Sequence, residues 1–190
     1  STNTLMIFFD IANGVKLNGV ATLSQADIFA SNGVIHIVDA VIPMPTIVTH
    51  ALANPDFSIL VSALTRTDMP DFAGILSGTA SSPFTVFAPN NAAFASLLQE
   101  KNFANLQAIP QDVLEKTLKY HVVAGSNILA KDITAGNVNT FLGQTWSIGI
   151  TNGVKITDKN NRVSNVIATD VQCTNGVIHV LDKVLLPNLN

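Results

Sequence analysis

The chain has little charge, almost no cysteine and no long apolar run. Charged residues make up 12% of its 190 residues, about half of the ~25% found in an average soluble domain. The net charge of −3 argues against a nucleic-acid-binding protein, which would carry a basic footprint. No stretch approaches the ~18 continuous apolar residues of a membrane helix, so we expect no transmembrane segment. A polar surface with so few charges is typical of secreted or surface proteins.

Cysteine occurs once, at Cys173. A single cysteine excludes an intramolecular disulfide framework and a cysteine-rich zinc site. Cys173 lies in an apolar, strand-like stretch, which predicts a buried, unreactive thiol. The chain begins without the basic start and small-residue cleavage site of a signal peptide, and it contains no Asn-x-Ser/Thr sequon. We therefore expect a mature or trimmed piece of a protein that carries no N-linked glycan.

One sequence block occurs twice. NGVIHIVDAVIPMP at residues 32–45 returns as NGVIHVLDKVLLPN at residues 175–188, at a constant offset of 143 residues. The similarity extends upstream if a short insertion is allowed in the second copy. The first copy has no counterpart of residues 46–121, which lie between the two copies. We therefore expect the strand-rich tail of one domain at residues 1–43, followed by a complete domain at residues 44–190.

The spacing of apolar residues predicts strands first and helices next. Residues 1–43 are predicted to be strands, with hairpin turns at Asn13-Gly14 and Asn32-Gly33. The period becomes helical in TIVTHALANP and NPDFSILVSALTRTD, where Asn54-Pro55 supplies a helix start. The rest of this half is predicted to contain a loop in DMPDFAGILSGTASSP, a buried strand in FTVFAP, a helix capped by Asn90 and a helix that begins at Pro110.

Strands return from Val122 to the end of the chain. Three dipeptides there predict hairpin turns: Gly125-Ser126, Asn152-Gly153 and Asn175-Gly176. Because strands and helices occur in separate runs and do not alternate, the sequence predicts an α+β fold.

Three ordered blocks resemble the fasciclin domain family: TVFAPNNAAF at residues 85–94, YHVV at residues 120–123 and NGVIHVLDKVLLP at residues 175–187. The resemblance covers residues 44–190 as a whole domain, and residues 1–43 resemble the closing part of a preceding fasciclin domain. It implies a compact α+β domain in which a helical layer packs on a twisted, wedge-like β arrangement. Asn90-Asn91-Ala92 depart from the Thr and acidic residues that family members often carry there, so the cap is neutral.

The resemblance also implies a function. Fasciclin domains usually occur in tandem in secreted or surface-attached proteins of bacteria, plants and animals, where their usual role is adhesion or matrix interaction without catalysis. We expect an extracellular or cell-surface location, periplasmic or lipid-anchored in a bacterium. The expected partner is a surface protein or polysaccharide of a cell or matrix, and tandem weak modules would gain avidity through high effective concentration.

The histidines lack the spacing of a metal site. No pair has the His-x-x-x-His spacing of a helical zinc motif or a neighbouring cysteine or carboxylate motif, so we expect no bound metal. Two pairs occupy equivalent, structural positions in the two copies: His36 with His179, and Asp39 with Asp182. Tyr120-His121 resembles the Tyr-His pair of the family, which is a structural element of the fold and has also been linked to cell-adhesion surfaces. Tyr120 and His121 are therefore candidate partner contacts.

Three acidic dipeptides are further candidate partner contacts: Asp27-Ile28, Asp132-Ile133 and Asp170-Val171. In animal fasciclin proteins, Asp-Ile segments at similar places are associated with integrin recognition, and an exposed carboxylate can complete an integrin-bound metal ion. The alternative, which we favour, is that aspartate beside a β-branched residue marks a strand edge or a turn. Val171 in place of isoleucine weakens the match.

The sequence gives catalysis little support. It contains no Gly-x-Ser-x-Gly elbow, phosphate-binding glycine loop or dinucleotide fingerprint, so we expect neither an enzyme nor a cofactor. A glycan- or apolar-ligand-binding module is the alternative function. An exposed Trp146, next to Phe141, would suit sugar stacking or an apolar groove, although a tryptophan in a strand more often fills a core.

Residues 1–43 pose a physical problem of their own. Without a helical half they would expose a strand edge and an apolar face, and such surfaces promote association. We expect one of three outcomes: the segment packs on the complete domain, it self-associates with another molecule, or its helical half has been lost by cleavage.

Overall fold

The computed structural model describes residues 4–12, 14–78 and 80–189. Among these residues the strands form two sheets. The first is antiparallel, in the order β1-β2-β3-β4: β1 Phe9–Asp10, β2 Lys16–Leu17, β3 Ala21–Ala30 and β4 Gly33–Val38. The second has the order β6-β5-β11-β10-β9-β8-β7: β5 Phe84–Pro89, β6 Val122–Ala124, β7 Gly136–Asn139, β8 Thr145–Gly149, β9 Lys155–Thr157, β10 Val163–Cys173 and β11 Gly176–Leu181.

The helices lie between the two groups of strands in the sequence. Within the described part of the chain they are α1 Ile47–Ala53, α2 Ser58–Leu64, α3 Phe72–Ser77, α4 Asn91–Glu100 and α5 Gln111–Tyr120. Short 3₁₀ turns occur at Pro55–Phe57, Leu106–Ala108 and Ala130–Asp132. The predicted α+β fold is confirmed.

The centre of the second sheet is the parallel pair β5 and β11, which pair in register from Phe84↔Gly176 to Pro89↔Leu181. All six residues of β5 are buried, as expected for a near-continuous apolar run with both faces covered. On one face, α1 to α5 build a core that includes Phe57, Leu60, Phe94 and Leu114. The other face carries a second core that includes Phe87, Tyr120, Trp146 and Ile156. The central strands therefore separate two apolar layers.

Asn54 and Asn90 act as caps as predicted, although the element that Asn54 begins is the 3₁₀ turn Pro55–Phe57, which leads into α2 at Ser58. The side chain of Asn54 accepts a hydrogen bond from the N–H of Asp56, and that of Asn90 accepts from the N–H of Ala93. Such caps satisfy N–H groups that have no partner inside a helix. Helix α5 follows Pro110, whose ring suits the start of a helix.

Two local predictions are wrong. The segment predicted to be a loop contains α3, because the Asp71 carboxylate caps the N–H of Gly74 while Phe72 and Leu76 bury one side of the helix. The predicted hairpin at Gly125-Ser126 is a turn without a hairpin. Strand β6 pairs with β5, which precedes it in the chain, and a 3₁₀ turn follows before β7 begins.

The β3–β4 and β10–β11 hairpins have the same register. The partner shifts in β3 fall between Leu23 and Gln25 and between Gln25 and Ile28. In β10 they fall at the residues 143 positions later, between Val166 and Ala168 and between Ala168 and Val171. The turns predicted at Asn32-Gly33, Asn152-Gly153 and Asn175-Gly176 each join two antiparallel strands. The β1–β2 pair flanks the fourth predicted turn, whose Asn13 lies outside the described residues.

The base of the first sheet contacts the rest of the chain. The N–H of Met6 donates to the carbonyl of Gln172 at 3.1 Å, and the Met6 carbonyl lies 2.9 Å from Nε2 of His50 in α1. Burial lowers the pKa of His50, although its hydrogen bond to Met6 opposes the shift. Leu17 and Ala21 are buried, whereas most of β3 and β4 is exposed.

Candidate functional site

Asp27 and Asp170 both lie at β-bulges. Each has left-handed backbone, with φ of 58° at Asp27 and 61° at Asp170, a conformation that aspartate adopts more readily than most residues. The N–H of Asp27 donates to Nδ1 of His36 at 3.2 Å, and that of Asp170 donates to Nδ1 of His179 at 3.4 Å. The two aspartates therefore have a structural role, to form the bulge in each hairpin.

The surroundings of these two carboxylates differ. The Asp170 carboxylate accepts from the N–H of Ala130 at 2.7 Å and so holds the 3₁₀ turn Ala130–Asp132. That turn presents Asp132, which is exposed and pairs with Lys131 at 2.8 Å. Asp27 is exposed on the other sheet. The structure thus brings Asp132 and Asp170 to the same turn and leaves Asp27 apart.

The aliphatic partners in the three dipeptides are less accessible than the aspartates Asp27 and Asp132. Ile133 is buried in the second core. Ile28 is half-buried, and Val171 is half-buried against the first core. A partner at these places would therefore contact mainly the carboxylates.

Tyr120 and Trp146 are joined inside the second core. The Tyr120 hydroxyl donates to the Thr145 carbonyl at 2.8 Å, and the indole Nε1–H of Trp146 donates to the Tyr120 carbonyl at 3.0 Å. Burial raises the pKa of Tyr120 to about 12. Trp146 is 2% exposed and meets Phe87 edge-on, with ring centroids 4.9 Å apart. Neither aromatic side chain offers a face to a ligand in this conformation.

His121 links α5 to the segment after β11. Its Nδ1–H donates to the Thr117 carbonyl at 2.7 Å, and its Nε2 accepts from the N–H of Leu185 at 2.9 Å. Burial lowers the pKa of His121 to about 4. The neutral ring is therefore the form that fits this position.

The His and Asp of the repeated block make the same backbone contacts in both copies, but the histidine is buried in only one of them. The N–H of Thr22 donates to Asp39 at 2.6 Å, and that of Asn165 donates to Asp182 at 2.7 Å. His179 is fully buried, and its Nε2–H donates to the Ile128 carbonyl at 2.8 Å. Burial lowers the pKa of His179. His36 is exposed, so the same block is inside the molecule in one copy and outside in the other.

Asp158 is a structural residue that the sequence interpretation missed. Its buried carboxylate accepts from the N–H groups of Arg162 and Leu186 at 3.0 and 2.9 Å and pairs with the Arg162 guanidinium at 3.2 Å. Arg162 continues to Glu100 on α4 at 2.7 Å. The signal was available, because Asp158 opens the short insertion by which the second copy differs from the first.

Other chemical features can be located in the described residues. Cys173 is confirmed as buried, and burial raises the pKa of its thiol to about 12. In residues 4–12, 14–78 and 80–189, no group of three or more His, Cys, Asp or Glu side chains is placed to hold a metal ion. Within the same part of the chain, no single helix is long and apolar enough to cross a membrane. Only α1 and the helical segment Pro55–Leu64 reach that length and apolar composition when taken together, and the two are bent by 103° relative to each other.

Comparison with known proteins identifies the family. The family model of the fasciclin domain matches residues 1–45 and 55–187. Protein sll1483 from Synechocystis is 39% identical over 142 residues, which cover 75% of this chain and 73% of that protein. Human periostin is 31% identical over 200 residues, covering 98% of this chain but 21% of periostin.

A solved structure shows the same architecture. It is the FAS1 domain pair of the insect cell adhesion molecule fasciclin I, with a TM-score of 0.66 and 25% identity. The alignment covers 95% of this chain and 66% of that one. The chain belongs to the fasciclin domain family. Fasciclin domains occur in secreted or cell-surface adhesion and matrix proteins, and the family is known for adhesion rather than catalysis.

Proposed function

We propose that this chain is a non-enzymatic adhesion or matrix-interaction module of an extracellular or cell-surface protein, periplasmic or lipid-anchored if the source is a bacterium. Membership of the fasciclin family, whose solved neighbour comes from a cell adhesion molecule, carries the proposal. Its partner is a surface protein or polysaccharide. Each contact is weak, and several modules that bind at once gain overall affinity through avidity.

The exposed carboxylates of Asp27 and Asp132 are the contact residues that the geometry favours. Both project from turns or bulges held by backbone hydrogen bonds, which limits the entropy lost when a partner binds. Asp170 holds the 3₁₀ turn that carries Asp132 and is a positioning residue. Tyr120 and His121 are buried inside the fold and do not offer their side chains to a partner. Asp132 already pairs with Lys131, so a partner that offers a metal ion would have to outcompete an exposed ion pair, which is weak.

Histidine geometry supports a role without catalysis. Both ring nitrogens of His121 and of His179 are engaged in hydrogen bonds to the fold. A general base needs a nitrogen within reach of a substrate, and these rings would have to give up structural bonds to provide one.

Attachment of cells to surfaces coated with the chain tests the proposal. Attachment should rise steeply with coating density, since avidity depends on simultaneous contacts. The double variant Asp27→Asn, Asp132→Asn should lose most of it, while Asp56→Asn, an exposed aspartate in a 3₁₀ turn, should not. Failure to attach to bacterial and animal cells at every density would contradict the adhesion function. Equal attachment of all variants would contradict only the contact residues.

An apolar cavity supports a second candidate, binding of a small apolar molecule. It lies between the helices and β5, is lined by residues such as Val48, Leu52, Val61 and Leu76, and has a volume of about 80 Å³. Because a cavity of ~150 Å³ accepts benzene, this one suits only a smaller ligand. Xenon NMR tests it: a saturable shift that the cavity-filling variant Ala73→Val removes would support the site.

Glycan binding needs a different probe from Trp146, whose loss would damage the core. Phe141 is the better choice, since it is 37% exposed. Sugar binding on a glycan array that Phe141→Ala abolishes, with unfolding unchanged, would favour a glycan-binding module. If no glycan binds while cells attach, contacts with a surface protein are favoured.

A further inference from the structure

We infer that a groove between α4, α5 and the segment after β11 binds a small amphipathic carboxylate, a molecule with one acid group on an apolar body. We call it the α4–α5 groove, and its lining includes Leu97, Lys101, Ile109, Val113 and Leu186. It shares no lining residue with the apolar cavity between the helices and β5. The inference does not rest on adhesion.

The floor of the α4–α5 groove is apolar. Leu97, Ile109 and Leu114 are buried there, and Phe103 and Val113 line the groove half-buried. A surface of this kind gains free energy when an apolar group displaces water from it, in proportion to the area covered. The part of the ligand that enters the groove is therefore apolar.

The volume of the groove sets the size of that apolar body. The groove holds about 290 Å³, roughly twice the ~150 Å³ of a cavity that accepts benzene. A body of about ten to twelve carbon atoms therefore fits, by comparison with the six of benzene. Lys101 and Pro110 at the rim are exposed, so a head group placed there would stay in contact with water.

The charge at the rim favours an acid as the head group. The Lys101 ammonium lies 3.4 Å from the carboxylate of Glu100, which pairs more closely with Arg162 at 2.7 Å. Because one carboxylate is shared by two cations, positive charge remains at this end of the groove. No acidic side chain of the described residues lines the groove. A carboxylate would be attracted here and an ammonium group repelled, and the flexible stem of Lys101 lets its charge follow the ligand.

Polar side chains from other parts of the chain hold the walls of the groove in place. The Nδ2 of Asn160 donates to the Leu186 carbonyl at 2.9 Å and fixes the wall formed by the segment after β11. On the opposite wall, Nη1 of Arg66 donates to the Ile109 carbonyl at 2.8 Å. A groove that is already formed needs little ordering when a ligand enters, and this is typical of small-molecule sites.

Titration of the 190-residue chain with decanoate tests the inference. We expect saturable NMR shifts at the methyl groups of Leu97, Ile109 and Val113, with a dissociation constant on the order of 1 mM or below for a ligand of this size. Decylamine has the same apolar chain with a positive head group, and it should bind at least about fivefold more weakly.

Two lysines of nearly equal exposure supply a matched pair of variants. The side chain of Lys101 is 41% exposed, and that of Lys116, which pairs with Asp112 on α5 and does not line the groove, is 42% exposed. Lys101→Met keeps the stem and removes the charge, so decanoate should bind about fivefold more weakly. Lys116→Met should leave decanoate binding unchanged.

Val113→Phe tests the groove by filling it. The larger ring should abolish decanoate binding, and urea unfolding of the variant checks that the fold persists. Should the variant fail to fold, the two lysine variants still decide, because both substitutions are made at exposed side chains.

Several results would overturn the inference. These are the absence of saturable shifts, shifts centred on Leu52 and Val61 of the other cavity, equal binding of decylamine, and equal losses in the two lysine variants. Nuclear Overhauser contacts that place Leu189 inside the groove of the free chain would also overturn it, because the chain would then fill its own site. Cell attachment without decanoate binding would contradict this inference alone, and decanoate binding without attachment would contradict only the adhesion function.

Discussion

The ring of His121 accepts a hydrogen bond from the N–H of Leu185 at 2.9 Å while it donates to the Thr117 carbonyl at 2.7 Å. One imidazole thus ties the end of α5 to the segment that follows the closing strand. A proton on Nε2 would remove the acceptor and place a charge in a buried site, and this is why burial lowers the pKa of His121 to about 4.

The first prediction is a loss of stability in mild acid. Between pH 6.5 and about 4 the unfolded chain binds a proton at His121 that the folded chain does not, so the free energy of unfolding falls as pH falls. The contribution of this one residue is on the order of 3 kcal/mol. Urea unfolding at about pH 7, 5.5 and 4.5 measures it.

His121→Gln is the control for this dependence of stability on pH. The variant should be less stable at neutral pH, and its stability should depend less on pH between 6.5 and 4. Part of the slope should remain, since burial also lowers the pKa of His50 and of His179. An unchanged slope in the variant would show that His121 does not cause it.

The second prediction compares two equivalent glycines. Gly176→Ala should destabilise the chain by about 3 kcal/mol or more, because its methyl group collides with the backbone of Phe84. Gly33→Ala should change the free energy of unfolding by less than about 0.5 kcal/mol. Urea unfolding of both variants checks the pair, and similar losses in the two would contradict the proposed difference in surroundings.

The third prediction concerns the single tyrosine. Absorbance titration of Tyr120 should give a midpoint near pH 12 in the folded chain, because burial raises its pKa, and a midpoint near its ordinary value of 10 in urea. Since the folded pKa is the higher one, stability should fall as pH rises above about 10. Tyr120→Phe should cost about 1–2 kcal/mol at neutral pH, because the Thr145 carbonyl loses its donor. A folded-state midpoint near 10 would mean that the hydroxyl is not buried.

The fourth prediction tests the buried carboxylate of Asp158, which the sequence did not point out. Asp158→Asn should cost about 3 kcal/mol, because an amide keeps only one acceptor oxygen and so leaves a buried donor of Arg162 or Leu186 without its partner. Glu100→Gln removes the exposed partner of the same arginine and should cost less than about 1 kcal/mol. Equal losses in thermal or urea unfolding would show that the buried pair is no more important than the surface one.

Local signals in the sequence predicted much of the fold. Asn54 and Asn90 cap their helices because a short polar side chain reaches the nearest free N–H groups, and this depends only on neighbours in the chain. Helix α3 was missed because Pro70, Gly74 and Gly78 are typical of loops. Its helical state depends on burying Phe72 and Leu76, which is a tertiary effect.

Long-range contacts could not be read from the residues alone. The parallel pairing of β5 with β11 joins strands about 90 residues apart in the chain, and no local pattern encodes it. Whether Trp146 is exposed depends on Phe87 lying across from it, and whether Asp158 is buried depends on the segment around Leu186. The candidate contacts Asp27 and Asp132 were found from the sequence, but their differing surroundings required the structure.

The junction between the first sheet and the complete domain is held at two places. Met6 bonds to Gln172 and His50, and the carbonyl of Pro45 accepts from the N–H of Thr174 at 2.9 Å. Two separated attachments resist both bending and rotation, whereas a single flexible linker resists neither. A pull on the first sheet would therefore pass directly into β10 through Gln172 and into α1 through His50.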